Sequence, residues 1–200
     1  MPKVINDFKR DGKWVNGVTI CGERFVTRSG MKWGGMKQRC KKDGHAQKQR
    51  PSYIGCTYSL FFSKFQNFAD WFTSQVGYEC TDYHIDKDIL VPGNKEYHED
   101  RCLLIPKELN CFLTGHEAAR GKFPQGVCAY RDGVRFMAYT SSGAKRKHIG
   151  LYNTVEEAQE AYIRHKTKEA RLWADKIQRE AIVVDSRVID FLSRWEFKYE

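Results

Sequence analysis

The sequence predicts an α+β protein: a strand–strand–helix region, followed by a small three-stranded antiparallel sheet packed on one helix. Three observations predict it. Phe61, Phe65, Phe68 and Phe72 recur at helical spacing in the first half. Alternating residues flank the turn pair Asp132-Gly133 in the second half, the pattern of a hairpin. Thr154-Val155-Glu156-Glu157 then has the T-x-x-E spacing of a capping box, which opens a helix.

The elements follow in order. Trp14 to Arg28 reads as extended structure, with Gly12, Gly17 and Gly22 at turns. Residues 31–42 read as a helix with Trp33, Met36 and Cys40 on one face and Lys32, Lys37, Arg39, Lys41 and Lys42 around the other sides. Lys42 to Arg50 is a polar, basic loop suited to contacting phosphates. The aromatic block predicts a core helix over 63–74. Residues 84–88 and 102–105 read as strands, and a helix starts near Lys107. Residues 114–125, with Gly115, Gly121 and Pro124, form a linker. Gly126 to Tyr139 is the hairpin, Ser141-Ser142-Gly143 a turn, and residues 147–152 a third strand. The capped helix runs to about Gln178, and Val183 to Trp195 holds a short last helix. The parts are therefore 1–113, the linker 114–125, a sheet unit at 126–180 and a helical extension at 181–200.

Composition narrows the function. With 41% hydrophobic and 14% aromatic residues, the 200-residue chain can build cores, which excludes a fully disordered protein. The net charge of +9 suits a polyanionic partner. The charge is uneven: residues 1–75 carry a net +9, residues 76–120 a net −4 and residues 121–200 a net +4. Carboxylates inside a basic protein hold a cation, or form a solvated face turned away from the polyanion. No stretch is apolar enough for a membrane span, and Met1-Pro2-Lys3-Val4-Ile5 lacks the apolar core of a signal peptide. The seven cysteines include no C-x-x-C pair, so they read as reduced thiols, most of them small core residues.

Gly126-Val127, Arg135-Phe136-Met137-Ala138-Tyr139, and the run from His148-Ile149-Gly150-Leu151-Tyr152 through Thr154-Val155-Glu156-Glu157-Ala158 to Ala161-Tyr162 resemble the Apetala-type DNA-binding domain of plant ethylene-response factors. The resemblance covers about residues 124–178. It implies that the exposed sheet face enters the DNA major groove. Period-two alternation puts Phe136 and Ala138 against the helix. The reading face then carries Tyr130, Arg135, Tyr139, Arg146 and His148, with Arg131, Lys145 and Lys147 at its margins. Cys128, Asp132 and Ser141 stand where the plant domains carry Arg or Trp, so the plant target does not carry over.

His84-Ile85-Asp86-Lys87-Asp88, Leu90-Val91-Pro92-Gly93-Asn94-Lys95 and Leu103-Leu104-Ile105-Pro106-Lys107-Glu108-Leu109-Asn110, with Arg39-Cys40 and Cys56 upstream, resemble phage-encoded, homing-type HNH endonucleases. That resemblance implies a ββα-metal fold, double-stranded DNA as substrate and the cytoplasm of an infected bacterial host. On a strand, His84, Asp86 and Asp88 share a face. They supply a base and hard oxygen ligands, and Asn110 stands where the family places its last metal ligand. Oxygen-rich ligation suits Mg²⁺ (Mn²⁺ is the alternative) better than Zn²⁺. The family's usual Asp-His pair is replaced by Asp86-Lys87 or Lys87-Asp88, so the base is His84 or His98. The expectation is a metal-dependent endonuclease that uses Asp86, Asp88 and Asn110, grips phosphates through residues 28–50 (Lys41 and Lys42 among them) and reads DNA with its sheet. The alternatives are a catalytically inactive DNA-binding protein and an RNA binder, though no RNP or KH pattern is present.

Overall fold

Strands and helices come in runs along the chain, and the N-terminal strands are short. The computed structural model describes residues 2–114, 122–142 and 145–195, with backbone but not side chains at 141–142 and 145–146. It is a mixed α+β chain that divides into two units, Met1–Asn110 and Cys111–Glu200. The expected linker lies for the most part outside the described residues.

In the first unit, β1 (Lys3–Ile5) pairs in parallel with β5 (Glu23–Thr27), and β4 (Gly17–Ile20) pairs antiparallel with β5. A ribbon of β2 (Lys9–Arg10) and β3 (Lys13–Trp14) lies between them in sequence. Gly17, expected at a turn, sits inside β4, where an added Cβ would lie 2.6 Å from the Phe25 carbonyl oxygen. Close backbone approach demands glycine there.

Thr27 ends β5 and caps α1 (Arg28–Cys40), accepting the Gly30 N–H at 3.2 Å. The expected loop at 42–50 contains a short helix, α2 (His45–Gln49). Its buried Gln47 donates to the carbonyls of Arg39 and Tyr53 at 3.2 and 3.1 Å. Those side-chain bonds order a segment that looks like solvated loop in sequence. After β6 (Thr57–Tyr58), the expected aromatic helix is split into α3 (Leu60–Ser63) and α4 (Phe65–Ser74). The split falls at Lys64, whose backbone is extended. Phe62, Phe68 and Phe72 are fully buried with Met36, and the Phe62 and Trp71 rings meet at 4.8 Å. This block is core.

β7 (Tyr83–Asp86) pairs antiparallel with β9 (Leu103–Pro106), which runs directly into α5 (Lys107–Leu113). Between them in sequence, β8 (Glu96–Tyr97) pairs in parallel with β6.

In the second unit, β10 (Val127–Ala129), β11 (Phe136–Ser142) and β12 (Lys145–Tyr152) form an antiparallel sheet in that order. The expected turn at 141–143 is in part strand, since β11 extends through Ser142. α6 (Val155–Arg179) starts at the predicted capping box, with both reciprocal bonds formed, and α7 (Ser186–Arg194) follows. Val127, Ala138, Ala158 and Ala161 make the sheet–helix core, with Phe123, Phe136, Ile149, Tyr152 and Val155 around it. Small residues at the centre let the helix lie close. Further along α6, the buried Lys166 donates to the Phe112 carbonyl at 2.6 Å and lies over the Phe112 ring. Burial pushes its pKa down to about 8. Two of the seven cysteines, Cys56 and Cys102, are buried, three are half-buried, and Cys21 and Cys111 are exposed. No helix among the described residues is long and apolar enough to cross a membrane.

Gly126 offers a direct test of the sheet unit. Its φ is +77°, and an added Cβ would lie 2.1 Å from the buried Tyr162 ring. Gly126→Ala is expected to cost about 2 kcal/mol or more, from strain and overlap together. Urea unfolding measures it, and an unchanged midpoint would contradict the packing.

Candidate functional site

β7 projects His84 and Asp86 to one side of its pairing with β9. Leu109, fully buried, seats α5, and the next residue, Asn110, reaches back to β7. The Asn110 amide nitrogen lies 3.1 Å from His84 Nδ1. Two residues 26 apart in sequence thus meet at one point. The amide orientation sets the tautomer. With the nitrogen toward the ring, Nδ1 accepts and Nε2 carries the proton. With the amide turned over, Nδ1–H donates to the oxygen, and Nε2 keeps a lone pair able to take a proton.

The surroundings of this pair are cationic. His84 is half-buried, and burial holds its pKa below the ordinary 6.5. Lys32, Lys107, Arg39 and Arg50 push in the same direction. They come from α1, from the segment after α2 and from the first turn of α5. Lys32 is held by its bond to the Tyr83 carbonyl, and its own pKa is lowered by burial and by Arg28 and Arg39. Arg39 donates from Nε to the Tyr97 hydroxyl at 2.7 Å and lies over the Tyr97 ring at 5.2 Å. His84 thus lies in the positive field of four basic side chains, which favours an anion. Sequence reading placed Lys32, Arg39 and Arg50 in a broad basic stretch and missed that they converge on His84. It passed over Lys107, which carries no signal beyond its place at the start of a helix.

Asp86 and Asp88 do not sit as a strand would place them. β7 ends at Asp86, so Asp88 leaves the alternation that would have put 84, 86 and 88 on one face. Asp86 is buried, and its Oδ1 accepts the N–H groups of Asp88 and Ile89, both at 2.8 Å. Burial raises its pKa, and the two N–H bonds oppose that rise. Lys87 is buried, donating to Asp88 Oδ1 at 2.7 Å and to the Asn94 carbonyl. Asn94 closes the loop: it donates to the Lys87 and Glu96 carbonyls at 2.9 and 2.7 Å and accepts the Glu96 N–H at 2.9 Å. His98 belongs to its own turn, where Nδ1 accepts the Asp100 N–H at 3.2 Å. Among the described residues, no three His, Cys, Asp or Glu side chains converge as a metal site. His84 and Asn110 are brought together; Asp86, Asp88 and His98 are each engaged locally.

On the second unit, Cys128, Met137 and Leu151 stand opposite one another across the three strands, on the face away from the core. The pairing shifts register between Ala138 and Tyr139, which puts Tyr139 opposite His148. Arg135 is exposed, donating from Nε to Asp132 Oδ2 at 2.6 Å, with its guanidinium 5.4 Å from the Tyr130 ring centroid. Arg131 is exposed in the hairpin turn. Lys147 is turned toward the helix, 3.7 Å from Glu169 of α6. The side chains of Lys145 and Arg146 lie outside the described residues. Lys41 and Lys42 are exposed just beyond the end of α1.

No family model, curated protein or solved structure matches this chain.

Two measurements test this geometry. Removing one cation favours the imidazolium, so Lys32→Met is expected to raise the His84 titration midpoint from its value below 6.5. Imidazole NMR reads it directly, and an unmoved midpoint would separate Lys32 from the site. With a lowered pKa, the folded state binds fewer protons than the unfolded chain near pH 6. The stability owed to neutral His84 is therefore lost as pH falls below 6.5. Separately, Asp86→Ala leaves two N–H groups without their acceptor and is expected to cost about 1–3 kcal/mol. Asp86→Asn keeps that acceptor oxygen and is expected to unfold within about 1 kcal/mol of the parent. Equal losses in the two variants would contradict the turn-forming role.

Proposed function

We propose that this protein is a DNA endonuclease of the phage-encoded, homing HNH-like type, with phosphodiester hydrolysis at His84. The observation that carries the reading is the His84–Asn110 pair on a strand–strand–helix unit, faced by Lys32, Arg39, Arg50 and Lys107. A scissile phosphate is an anion, and these cations attract and orient it. His84 stays neutral near pH 7, the state a general base needs. Its Nε2 takes the proton of the attacking water while Nδ1–H is held by the Asn110 oxygen.

The donors at hand fit a cation that shares its shell with substrate. Asn110 and Asp86 are too few to hold Mg²⁺ alone, and Mg²⁺ commonly completes its shell with phosphate oxygens and water. Asn110, with Asp86, would hold Mg²⁺ or Mn²⁺, which supplies Lewis-acid stabilisation of the leaving oxygen when bound. Asp88, tied to Lys87, has the weaker claim to a ligand role.

Duplex recognition belongs to the outward sheet face, through Tyr130, Arg135, Tyr139 and His148, with Arg131 beside them. The resemblance to Apetala-type domains supports it, and so does the position of these side chains away from the helix. Lys147 has a partner on α6 and contributes least to this face.

A second reading has its own observation: Asp86 is engaged in a turn, and no three acidic or metal-binding side chains converge among the described residues. The chain would then be a DNA-binding protein built on a nuclease scaffold.

Incubation with supercoiled plasmid in Mg²⁺, Mn²⁺ or EDTA distinguishes the two. Metal-dependent nicking is expected, falling by at least about 100-fold in His84→Ala. Shifted but intact DNA under every condition would establish the second reading. If nicking occurs, a folded Asp86→Asn that no longer cuts assigns a ligand oxygen to Asp86, whereas full activity leaves it as a turn former.

A further inference from the structure

The centre of the outward sheet face is apolar. Cys128, Met137 and Leu151 form one cross-strand row, and none of them belongs to the sheet–helix core. Along β11, the neighbours of this row on the same face are Arg135 on one side and Tyr139, opposite His148, on the other. Val134, next to Arg135 at the hairpin tip, is 74% exposed. A row of three side chains on strands about 4.8 Å apart is about 10 Å wide, which fits a major groove about 12 Å wide.

We propose that Cys128, Met137 and Leu151 are specificity-determining residues that contact thymine methyl groups in the major groove. The inference rests on the reading that this face meets duplex DNA, and it names what the face selects. Charge complementarity argues for DNA over a protein partner: the row is bordered by Arg135, with Arg131 and His148 close in sequence to it, in a chain of net charge +9. The chemistry then follows from groove edges. Guanine and cytosine present only hydrogen-bonding groups to the centre of the face, and Met and Leu side chains offer them no partners. Thymine presents a methyl group, the one apolar feature of the major-groove edges. Arg135 is held by Asp132 and stacked on Tyr130, so it is preset to meet a phosphate or one guanine at the border of the contact.

The test uses the full chain in EDTA, so that binding is read without cutting. Duplexes are selected from a random pool, and the preferred sequence is remade with deoxyuridine in place of thymine, which removes only the methyl groups. Selected sites rich in thymine are expected, with affinity falling about fourfold for each contacted methyl removed. Met137→Ala and Leu151→Ala are each expected to narrow the difference between the two duplexes by about fourfold, with circular dichroism melts confirming that each variant is folded. Equal binding of thymine and deoxyuridine duplexes by the parent chain overturns the inference and leaves the DNA reading standing. No binding to any duplex overturns both. Self-association that Met137→Ala abolishes, with no thymine preference, assigns the row to a second copy of the chain and overturns the inference.

Discussion

The candidate site depends on a buried polar loop that must satisfy its own charges. Between β7 and β8 the chain buries an aspartate and a lysine, Asp86 and Lys87, and neither can be left without partners in a low-dielectric interior. Asp86 takes two backbone N–H groups, Lys87 takes Asp88 and the Asn94 carbonyl, and the Asn94 amide bonds on both sides of the loop. The result is a rigid end to β7. His84 sits two residues before that end, so the direction of its ring is set by the loop as much as by the β7–β9 pairing.

Around His84 the protein does the opposite: it gathers like charges. The fields of Lys32, Arg39, Arg50 and Lys107 all act on one half-buried imidazole. Mutual repulsion makes this arrangement costly without an anion present. Tyr97 and the Tyr83 carbonyl offset part of that cost by holding Arg39 and Lys32. Asp82 offsets a further part of the charge on Lys32.

The sheet unit is built on another principle. Its helix-facing side is made of small residues, Ala138, Ala158 and Ala161, so the helix can lie close and the sheet is rigidly backed. Its outward side carries longer side chains, and the register shift at Ala138/Tyr139 sets which of them point outward. Lys147 shows how much this matters: it lies next to His148 in sequence but reaches a helix glutamate.

Much of the second unit was legible from sequence. The Asp132-Gly133 hairpin, the Thr154 capping box and the alternation of Phe136 and Ala138 depend on local backbone preference and period, which neighbouring residues encode. The strand–strand–helix succession ending at Asn110 was legible for the same reason, and so was the aromatic core. The site was legible only in part. His84 and Asn110 were named individually, but their contact required β7, β9 and α5 to be folded together. The end of β7 at Asp86 was not legible, because an Asp–x–Asp alternation looks like strand until a carboxylate turns back to its own N–H groups. The α2 helix is held by bonds from the Gln47 side chain that its periodicity does not signal, and the cations acting on His84 come from residues up to 75 positions apart, Lys32 and Lys107. The sequence by itself determined the second unit's hairpin, its capped helix and the basic character of the chain, since those follow from local periodicity and composition. Only the tertiary structure decided which charges face His84 and which are neutralised nearby. Coulomb interaction and burial depend on distances through space, and those exist only once the chain has folded.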